Sequence, residues 1–186
     1  MMRIIAGEYR GRRLQMTQDA SIRPATARVK GSIFNMLQNR LSLFNANVLD
    51  LFAGSGSLSF EALSRGAKSV VLVDTGRSAI DVMNNNVQML HCEDKCTILQ
   101  ADAMEYIAHC REKFDLIFAD PPYRYEDTSN IPEQVFDKNL LRKDGFLIIE
   151  HSKDTVFEES KAFIRSVQKE YGGTLISFFN QPNLNT

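Results

Sequence analysis

The stretch Val48-Leu49-Asp50-Leu51-Phe52-Ala53-Gly54-Ser55-Gly56 decides the fold of this 186-residue chain. A short apolar run ends in a glycine-rich turn, and the apolar residues over 58–63 then recur at helical spacing. This order is the strand–loop–helix unit that holds nucleotide-like ligands in α/β proteins. Gly54 and Gly56 let the backbone approach a ligand closely, where a Cβ atom would clash.

The loop differs from a dinucleotide-binding loop in its charge. Ser59 replaces the third glycine of that fingerprint, and a carboxylate, Asp50, precedes the turn. A carboxylate suits a cationic ligand better than a pyrophosphate. S-adenosylmethionine carries an α-ammonium and a sulfonium and has no phosphate, so the sequence favours this cofactor. The residues expected to surround it at this loop are Asp50, Phe52, Ala53, Gly54 and Gly56.

Two more acidic residues follow runs of strand type. Asp74 ends the run 68–73, about 20 residues beyond the glycine loop, where an acidic residue binds a ribose diol in this architecture. A helix N-cap is the alternative role for Asp74. Asp102 follows the run 96–100 and has two equally weighted roles. It accepts from an adenine amine while the Ala103 N–H donates to the ring, or it caps the next helix.

The run Asp120-Pro121-Pro122-Tyr123 directly follows the apolar segment 114–119. A nucleobase amine is a poor nucleophile because its lone pair is delocalised into the ring. Accepting hydrogen bonds from both of its N–H groups returns electron density to the nitrogen, and Asp120 with the Pro121 carbonyl supplies two such acceptors. Tyr123 supplies a plane for stacking the base. The alternative is an ordinary turn, because consecutive prolines favour extended and turn backbone.

The composition indicates one enzyme domain over residues 1–186. Apolar residues make up 44% and charged residues 24% of the chain, which are ordinary values for a globular protein. No apolar run approaches the roughly 20 residues that span a bilayer. Three cysteines do not form a paired framework, so we expect a cytoplasmic protein. We also expect a monomer without a metal, since the Cys and His spacings match no familiar ligand pattern.

The positive charge is concentrated at the N-terminus. The formal net charge of the whole chain is −1, but residues 1–30 hold seven Arg and Lys against Glu8 and Asp19. A basic segment on an acidic body is typical of a protein that contacts a polyanion on one face. We therefore predict a basic, nucleic-acid-contacting extension over residues 1–24, followed closely by two more cations. The residues predicted to contact nucleic acid are Arg3, Arg10, Arg12, Arg13, Arg23, Arg28 and Lys30.

The remaining pattern predicts how the chain is organised. Short apolar runs on both sides of Gly7 and Gly11 predict a small N-terminal hairpin. From residue 48 onwards, strand-like runs alternate with helical ones, which predicts a parallel sheet with helices on both faces. Residues 164–169 and 174–179, separated by Gly172 and Gly173, predict a closing antiparallel hairpin.

These motifs together resemble the RsmD family of bacterial methyltransferases, which modify guanine N2 in 16S ribosomal RNA. The N-terminal elements are particular to that family, whereas the glycine loop and Asp-Pro-Pro are shared with many methyltransferases. The resemblance extends from Arg3 to about Phe179. The segments that carry it are 3–7, 11–14, 23–29, 34–37, 50–56, 61–66 and 120–122.

The resemblance implies a class I methyltransferase fold, an α/β three-layer sandwich with seven strands, of which the last pair is antiparallel. It also implies S-adenosylmethionine bound by the residues named above and the guanine amine at Asp120 to Tyr123. The basic residues named above would then bind RNA, and the substrate would be partly assembled small subunits. Ala27 and Gly31 depart from the family, which usually has acidic residues there, and Tyr123 stands where Phe is common. Three alternatives stay open: an adenine-N6 methyltransferase, a cofactor-binding assembly factor with incidental catalysis, and a nicotinamide oxidoreductase.

Overall fold

The computed structural model of the chain describes residues 2–17 and 27–182. Arg23 and the end of the predicted basic extension, residues 18–24, lie outside the described residues. The predicted N-terminal hairpin is present: β1 (Met2–Arg3) pairs antiparallel with β2 (Arg13–Leu14). No helix in the described ranges has the length and apolar character that crossing a membrane requires.

The predicted seven-stranded sheet is confirmed. Its order is β5-β4-β3-β6-β7-β9-β8, in which the first five strands run parallel and β9 is antiparallel to both of its neighbours. The strands are β3 (Asn47–Leu51), β4 (Ser69–Asp74), β5 (Cys96–Gln100), β6 (Phe114–Ala119), β7 (Leu141–Ser152), β8 (Ile164–Tyr171) and β9 (Thr174–Asn180).

Helices cover both faces of the sheet and give three layers. Within the described ranges they are α1 (Ala27–Leu37), α2 (Ser57–Ser64), α3 (Arg77–Leu90), α4 (Ala103–His109) and α5 (Ile131–Asp137). Buried side chains of α1, α2 and α3 share one core with Val48 and Phe118, whereas those of α4 and α5 share another with Leu49 and Ile117. Neighbouring residues of one strand thus face opposite cores, as the period of two along a strand requires.

The order of strands fixes where a ligand binds. β3 has β4 on one side and β6 on the other, so the chain changes direction across the sheet at β3. Ligands of open α/β sheets bind beyond the carboxyl ends of the strands at such a switch point. The loops after β3 and β6 meet there, and the Asp120 N–H donates to the Leu51 carbonyl at 3.4 Å. Both sequence motifs therefore reach one edge of the sheet.

The N-terminal hairpin is fastened to α2. Glu61 accepts hydrogen bonds from the backbone N–H groups of Ile5 and Ala6, at 2.7 and 3.1 Å. Gly7 has φ +85, and a Cβ atom there would lie 1.7 Å from the Ser64 carbonyl oxygen. Only glycine fits at this contact. The described part of the basic extension therefore has a fixed position on the sheet-and-helix body.

The prediction that Lys30 contacts RNA is wrong. Its side chain is fully buried, its Nζ lies 3.3 Å from Glu61 Oε2, and it donates to the Arg3 carbonyl at 2.8 Å. Burial lowers the pKa of Lys30, since removal from water outweighs the attraction of Glu61. The charge pattern alone did not distinguish this internal cation from its exposed neighbours. Lys30 holds β1 to α1 and α2 and presents no charge to solvent.

Candidate functional site

A cavity of about 880 Å³ opens at the switch point. Its wall combines the glycine loop after β3, the end of β4, the loop after β6, the end of β7 and the turn between β8 and β9. Most residues predicted from the sequence for the cofactor or the base line this one space. They are Asp50, Phe52, Ala53, Gly54, Asp74, Asp120, Pro121, Pro122 and Tyr123, with Arg28 from α1 beside them.

Asp50 lies beneath the glycine loop and is only 2% exposed. The Ser59 hydroxyl, at the position of the absent third glycine, donates to Asp50 Oδ2 at 2.8 Å. Burial raises the pKa of Asp50 to about 7, while the hydrogen bonds from Ser59 oppose that rise and the nearby Asp74 charge adds to it. A buried carboxylate without a full charge partner is a strong attractor for a cation.

Asp74 fastens two loops to the end of β4. Its Oδ2 accepts from the Gly54 N–H and its Oδ1 from the Gly76 N–H, both at 2.8 Å. The alternative role as the N-cap of α3 is wrong, because that position is occupied by Gly76. Each carboxylate oxygen can accept a second hydrogen bond, so Asp74 retains capacity toward a ligand in the cavity.

Gly54 and Gly56 of the loop have different structural roles. Gly56 does not line the cavity, and a Cβ atom at this residue would lie 2.5 Å from Phe60 and 2.9 Å from Leu72. Gly56 therefore makes room for two core side chains, and its predicted contact with a ligand stays a prediction. Gly54 does line the cavity and has φ 56. Phe52 also has a positive φ, 62, a conformation that costs a non-glycine residue free energy and clusters at functional sites.

Asp102 takes the helix-capping role. Its Oδ1 accepts from the Met104 and Glu105 N–H groups, at 2.9 and 3.0 Å, and starts α4. Neither Asp102 nor Ala103 lines the cavity, and Ala103 is buried. Both lie beside the site: the Asp102 charge contributes, after desolvation, to the raised pKa of Tyr125. The predicted contact with an adenine ring stays a prediction.

The loop after β6 is held in a tight turn. The Pro122 carbonyl accepts from the Tyr125 N–H at 2.8 Å, and the Tyr125 ring meets Phe52 edge-on at 4.9 Å between centroids. Pro121 is buried, whereas Tyr123 is 73% exposed at the mouth of the cavity. An exposed aromatic ring beside a fixed acceptor loop is the arrangement that base stacking requires.

Asp120 is surrounded by acidic groups. Burial is the largest cause that raises its pKa well above the usual range, and the charges of Glu150 and Asp50 raise it further. Perturbed carboxylates that face a cavity are typical of functional sites. Because burial and mutual repulsion disfavour the charged forms of these carboxyls, positive charge or N–H donors from a ligand would be stabilised there.

Sequence reasoning missed several residues of this site. Asn86 on α3 receives the Gln15 N–H at 2.8 Å and donates to the Ser55 carbonyl at 3.0 Å, which joins the N-terminal segment to the glycine loop. Glu150 and Tyr171 also line the cavity. Glu150 had a usable signal, since it ends a strand-like run as Asp120 does. Asn86 and Tyr171 had none, because only the folded chain brings them near the loop.

Cations predicted to contact RNA fall into three groups. Arg3, Arg10, Arg12 and Arg13 are exposed on the hairpin, and Arg28 is exposed where α1 meets the cavity. Lys30 is buried, as described above, and Arg23 is outside the described ranges. Within those ranges the His, Cys, Asp and Glu side chains form no group of three that could hold a metal ion.

Comparisons with known proteins agree with this geometry. A family model described as "Conserved hypothetical protein 95" matches residues 2–180. The Bacillus subtilis protein "Putative rRNA methyltransferase YlbH" is 34% identical over 185 residues, 97% of this chain and 99% of that protein. The Haemophilus influenzae "Ribosomal RNA small subunit methyltransferase D" is 32% identical over 82% of this chain and 80% of that protein. The solved structure of "Putative methyltransferase yhhF from Escherichia coli" has a TM-score of 0.84 and 27% identity, covering 97% of each chain.

Proposed function

Because the chain belongs to the family described as Conserved hypothetical protein 95, we propose that it transfers a methyl group from S-adenosylmethionine to the N2 amine of a guanine in 16S ribosomal RNA. Family membership confirms the resemblance to RsmD enzymes and the class I methyltransferase fold predicted from the sequence. One observation carries the finer proposal: Asp50 with its glycine loop and the loop Asp120 to Tyr123 face the same cavity.

The residues of the glycine loop fit the cofactor. Asp50, buried beneath the loop, suits the α-ammonium group, and Asp74 at the end of β4 suits the ribose hydroxyls. The positive φ of Gly54 keeps backbone, without a side chain, against the cavity. When bound, the cofactor supplies a methyl group on a positively charged sulfur.

The loop after β6 prepares the guanine. Asp120 and the Pro121 carbonyl accept the two N–H groups of the amine and keep its nitrogen lone pair available. Tyr123 stacks on the base after it leaves its neighbours in the RNA. Transfer would form the bond from N2 to the methyl carbon and break the carbon–sulfur bond, releasing the neutral thioether, and Asp120 or water would take the N–H proton that becomes acidic. Most of the rate acceleration comes from holding these groups in position.

The exposed arginines of the hairpin bind the RNA backbone. Arg28 connects that basic surface to the cavity, because it is exposed and lines the cavity wall. Phosphate contacts position an RNA, while the base inserted in the cavity carries the specificity. The substrate is the small ribosomal subunit or an assembly intermediate of it, and the protein acts as a cytoplasmic monomer.

Methylation of undermethylated small subunits tests the proposal. The protein is incubated with labelled S-adenosylmethionine and subunits, free 16S RNA or duplex DNA, and the product nucleosides are separated. We expect N2-methylguanosine from small subunits or free 16S RNA and no methylated nucleoside from duplex DNA. Label found in N6-methyladenosine, or in DNA, would contradict the proposed function.

A variant of Asp120 separates catalysis from cofactor binding. We expect Asp120→Ala to lower turnover by at least about 100-fold, because it removes one of the two acceptors of the amine. Calorimetry should give cofactor affinity within about threefold of that of the unaltered protein. Near-normal turnover by this variant would show that Asp120 does not prepare the amine.

A further inference from the structure

Glu150 is placed beside Asp120 by the register of two neighbouring strands. Ala119 at the end of β6 is paired with Ile149 on β7, in parallel. The next residue of each strand, Asp120 and Glu150, therefore lies at the same level of the sheet, on strands about 4.8 Å apart. Both residues line the cavity.

The position of Glu150 is rigid. On its other side β7 pairs with β9, where Glu150 lies opposite Ile176. The following residue, His151, is buried, with Nε2 2.8 Å from the Ser177 hydroxyl and Nδ1 2.8 Å from the Ser152 carbonyl. Sites built on strands hold their side chains more precisely than sites on loops. Glu150 is therefore suited to a role that depends on geometry.

Two neighbouring carboxylates favour a ligand that offers two neighbouring N–H donors. Each ionised carboxylate accepts hydrogen bonds and donates none. Among the four RNA bases, only guanine presents an N–H (N1) directly beside an amine (N2) on its pairing edge. Adenine and cytosine present an amine beside an acceptor nitrogen, and the N–H of uracil lies between two carbonyls. The pair Asp120 and Glu150 therefore matches the edge of guanine.

We propose that Glu150 accepts the N1–H of the target guanine while Asp120 accepts an N–H of its N2 amine, so that Glu150 selects guanine. This inference rests on the proposed function, because it assigns the base of that same site. A site that hydrogen-bonds an N–H of its substrate strongly rejects an analogue without it, because the acceptor is then left buried and unsatisfied. Glu150 is a specificity-determining residue, and Asp120 remains the residue that prepares the nucleophile.

The test replaces the target guanine by 2-aminopurine. This analogue keeps the N2 amine, but its N1 carries no hydrogen and accepts. The methylated guanine is first mapped on subunits modified by the unaltered protein. Small subunits are then reconstituted from 16S RNA with guanine or 2-aminopurine at that position, and kcat/KM for methyl transfer is measured on both. The protein, Glu150→Gln and Glu150→Ala are compared, with Glu133→Gln, an exposed carboxylate of α5, as control.

We expect the unaltered protein and the control to prefer guanine by at least about 100-fold. Glu150→Ala should lower kcat/KM on guanine by about 10- to 100-fold, because the charged acceptor of the N1–H is lost. It should change kcat/KM on 2-aminopurine little, because that base has no N1–H. Glu150→Gln should reduce the preference for guanine over 2-aminopurine more than Glu150→Ala does, since the glutamine amide donates to N1 of 2-aminopurine. Thermal melting and cofactor calorimetry establish that each variant is folded.

Each result has a distinct meaning. If the unaltered protein yields no N2-methylguanosine, the proposed function fails before Glu150 is tested. If it methylates both bases equally, or if both Glu150 variants keep the original preference, the role of Glu150 is overturned while the proposed function stands. If one Glu150 variant does not fold, the role of Glu150 is decided by the preference for guanine over 2-aminopurine in the unaltered protein and in the other variant.

Discussion

Lys30 Nζ lies 3.3 Å from Glu61 Oε2, and both side chains are fully excluded from solvent. Glu61 also accepts from Arg65 Nε at 2.9 Å and from two N–H groups of the N-terminal hairpin. These donors offset the free energy of removing the Glu61 carboxylate from water, so its burial destabilises the fold little while all of them are present. The hairpin that carries the exposed arginines depends on this pair for its position.

Removal of Lys30 should therefore cost stability and should not act as the loss of one RNA-binding charge. We expect Lys30→Ala to lower the free energy of unfolding by about 3–5 kcal/mol, because it leaves a buried charge and removes a bond to the Arg3 carbonyl. Urea denaturation measures this loss. The matched control is Arg28→Ala, which removes an exposed cation of the same helix at the cavity wall.

Arg28→Ala should behave in the opposite way. We expect its stability to change by less than about 0.5 kcal/mol, as for most exposed positions. Its RNA affinity should fall, and the dependence of that affinity on salt should become shallower by about one ion, because one phosphate contact is lost. If Lys30→Ala has normal stability and its RNA affinity depends less on salt, Lys30 contacts RNA after all.

Ser59 should control the charge state of Asp50. Its hydroxyl donates to Asp50 Oδ2 at 2.8 Å and opposes the effect of burial on the pKa of that carboxyl. In Ser59→Ala the pKa of Asp50 should rise further, so a smaller fraction is ionised near neutral pH. We expect affinity for S-adenosylmethionine to fall about 10-fold. Calorimetry measures it, with Ser78→Ala, an exposed serine of α3, as control.

If Ser59→Ala binds the cofactor as tightly as the Ser78 variant, Asp50 does not depend on this hydrogen bond. The affinity lost should be partly restored at higher pH, because Asp50 then ionises despite its raised pKa. A loss that is independent of pH would indicate a packing defect in α2 instead.

The sequence was informative where chemistry follows a strand directly. Asp50, Asp74 and Asp120 could each be assigned to the site, because an acidic residue after a buried parallel strand lies at the ligand-binding edge. The fold followed from the same alternation of strand and helix. The misassignment of Lys30 and the missed packing role of Gly56 have one common reason. A glycine motif and a basic run do not reveal which atoms face a ligand and which face the protein core.

Helix α5 and the contacts of Asn86 were also beyond the sequence. The segment Ile131–Asp137 spans only seven residues, too few to give a clear apolar period. Asn86 bridges Gln15 and Ser55, which are far apart in the chain and come together only after α3 packs on the sheet. Such long-range polar contacts leave no local pattern.

The stability of the protein without cofactor should depend on pH through Asp50. The folded-state pKa of Asp50 is raised from 3.8 to about 7. Between pH 3.8 and about 7 the Asp50 carboxyl holds a proton in the folded state that it releases in the unfolded state. The contribution of Asp50 to stability is therefore greatest at low pH and falls as the pH rises towards about 7. Each pH unit in that range removes about 1.4 kcal/mol. Between pH 5 and 8 the contribution of Asp50 therefore falls by roughly 3 kcal/mol.

Asp50→Asn should abolish this part of the pH dependence. Urea denaturation of both proteins at pH 5 and pH 8 measures the difference, which combines the titration of Asp50 with the effect of its charge on the raised pKa of Asp120. The unaltered protein should lose more stability than the variant on going to pH 8. Equal losses would mean that Asp50 is ionised throughout, in spite of its burial.

Tyr123 should contribute through its ring and not through its hydroxyl. The side chain is 73% exposed at the cavity mouth, where a base can stack on it. We expect Tyr123→Ala to lower kcat/KM for subunit methylation by about 10- to 100-fold, since stacking on an aromatic side chain contributes about 1–3 kcal/mol per base. Tyr123→Phe should retain activity within about threefold. Phe44→Ala removes another ring that is 75% exposed but lies before β3, away from the cavity, and should change nothing. Loss of activity in Tyr123→Phe equal to that in Tyr123→Ala would assign the role to the hydroxyl group instead of the ring.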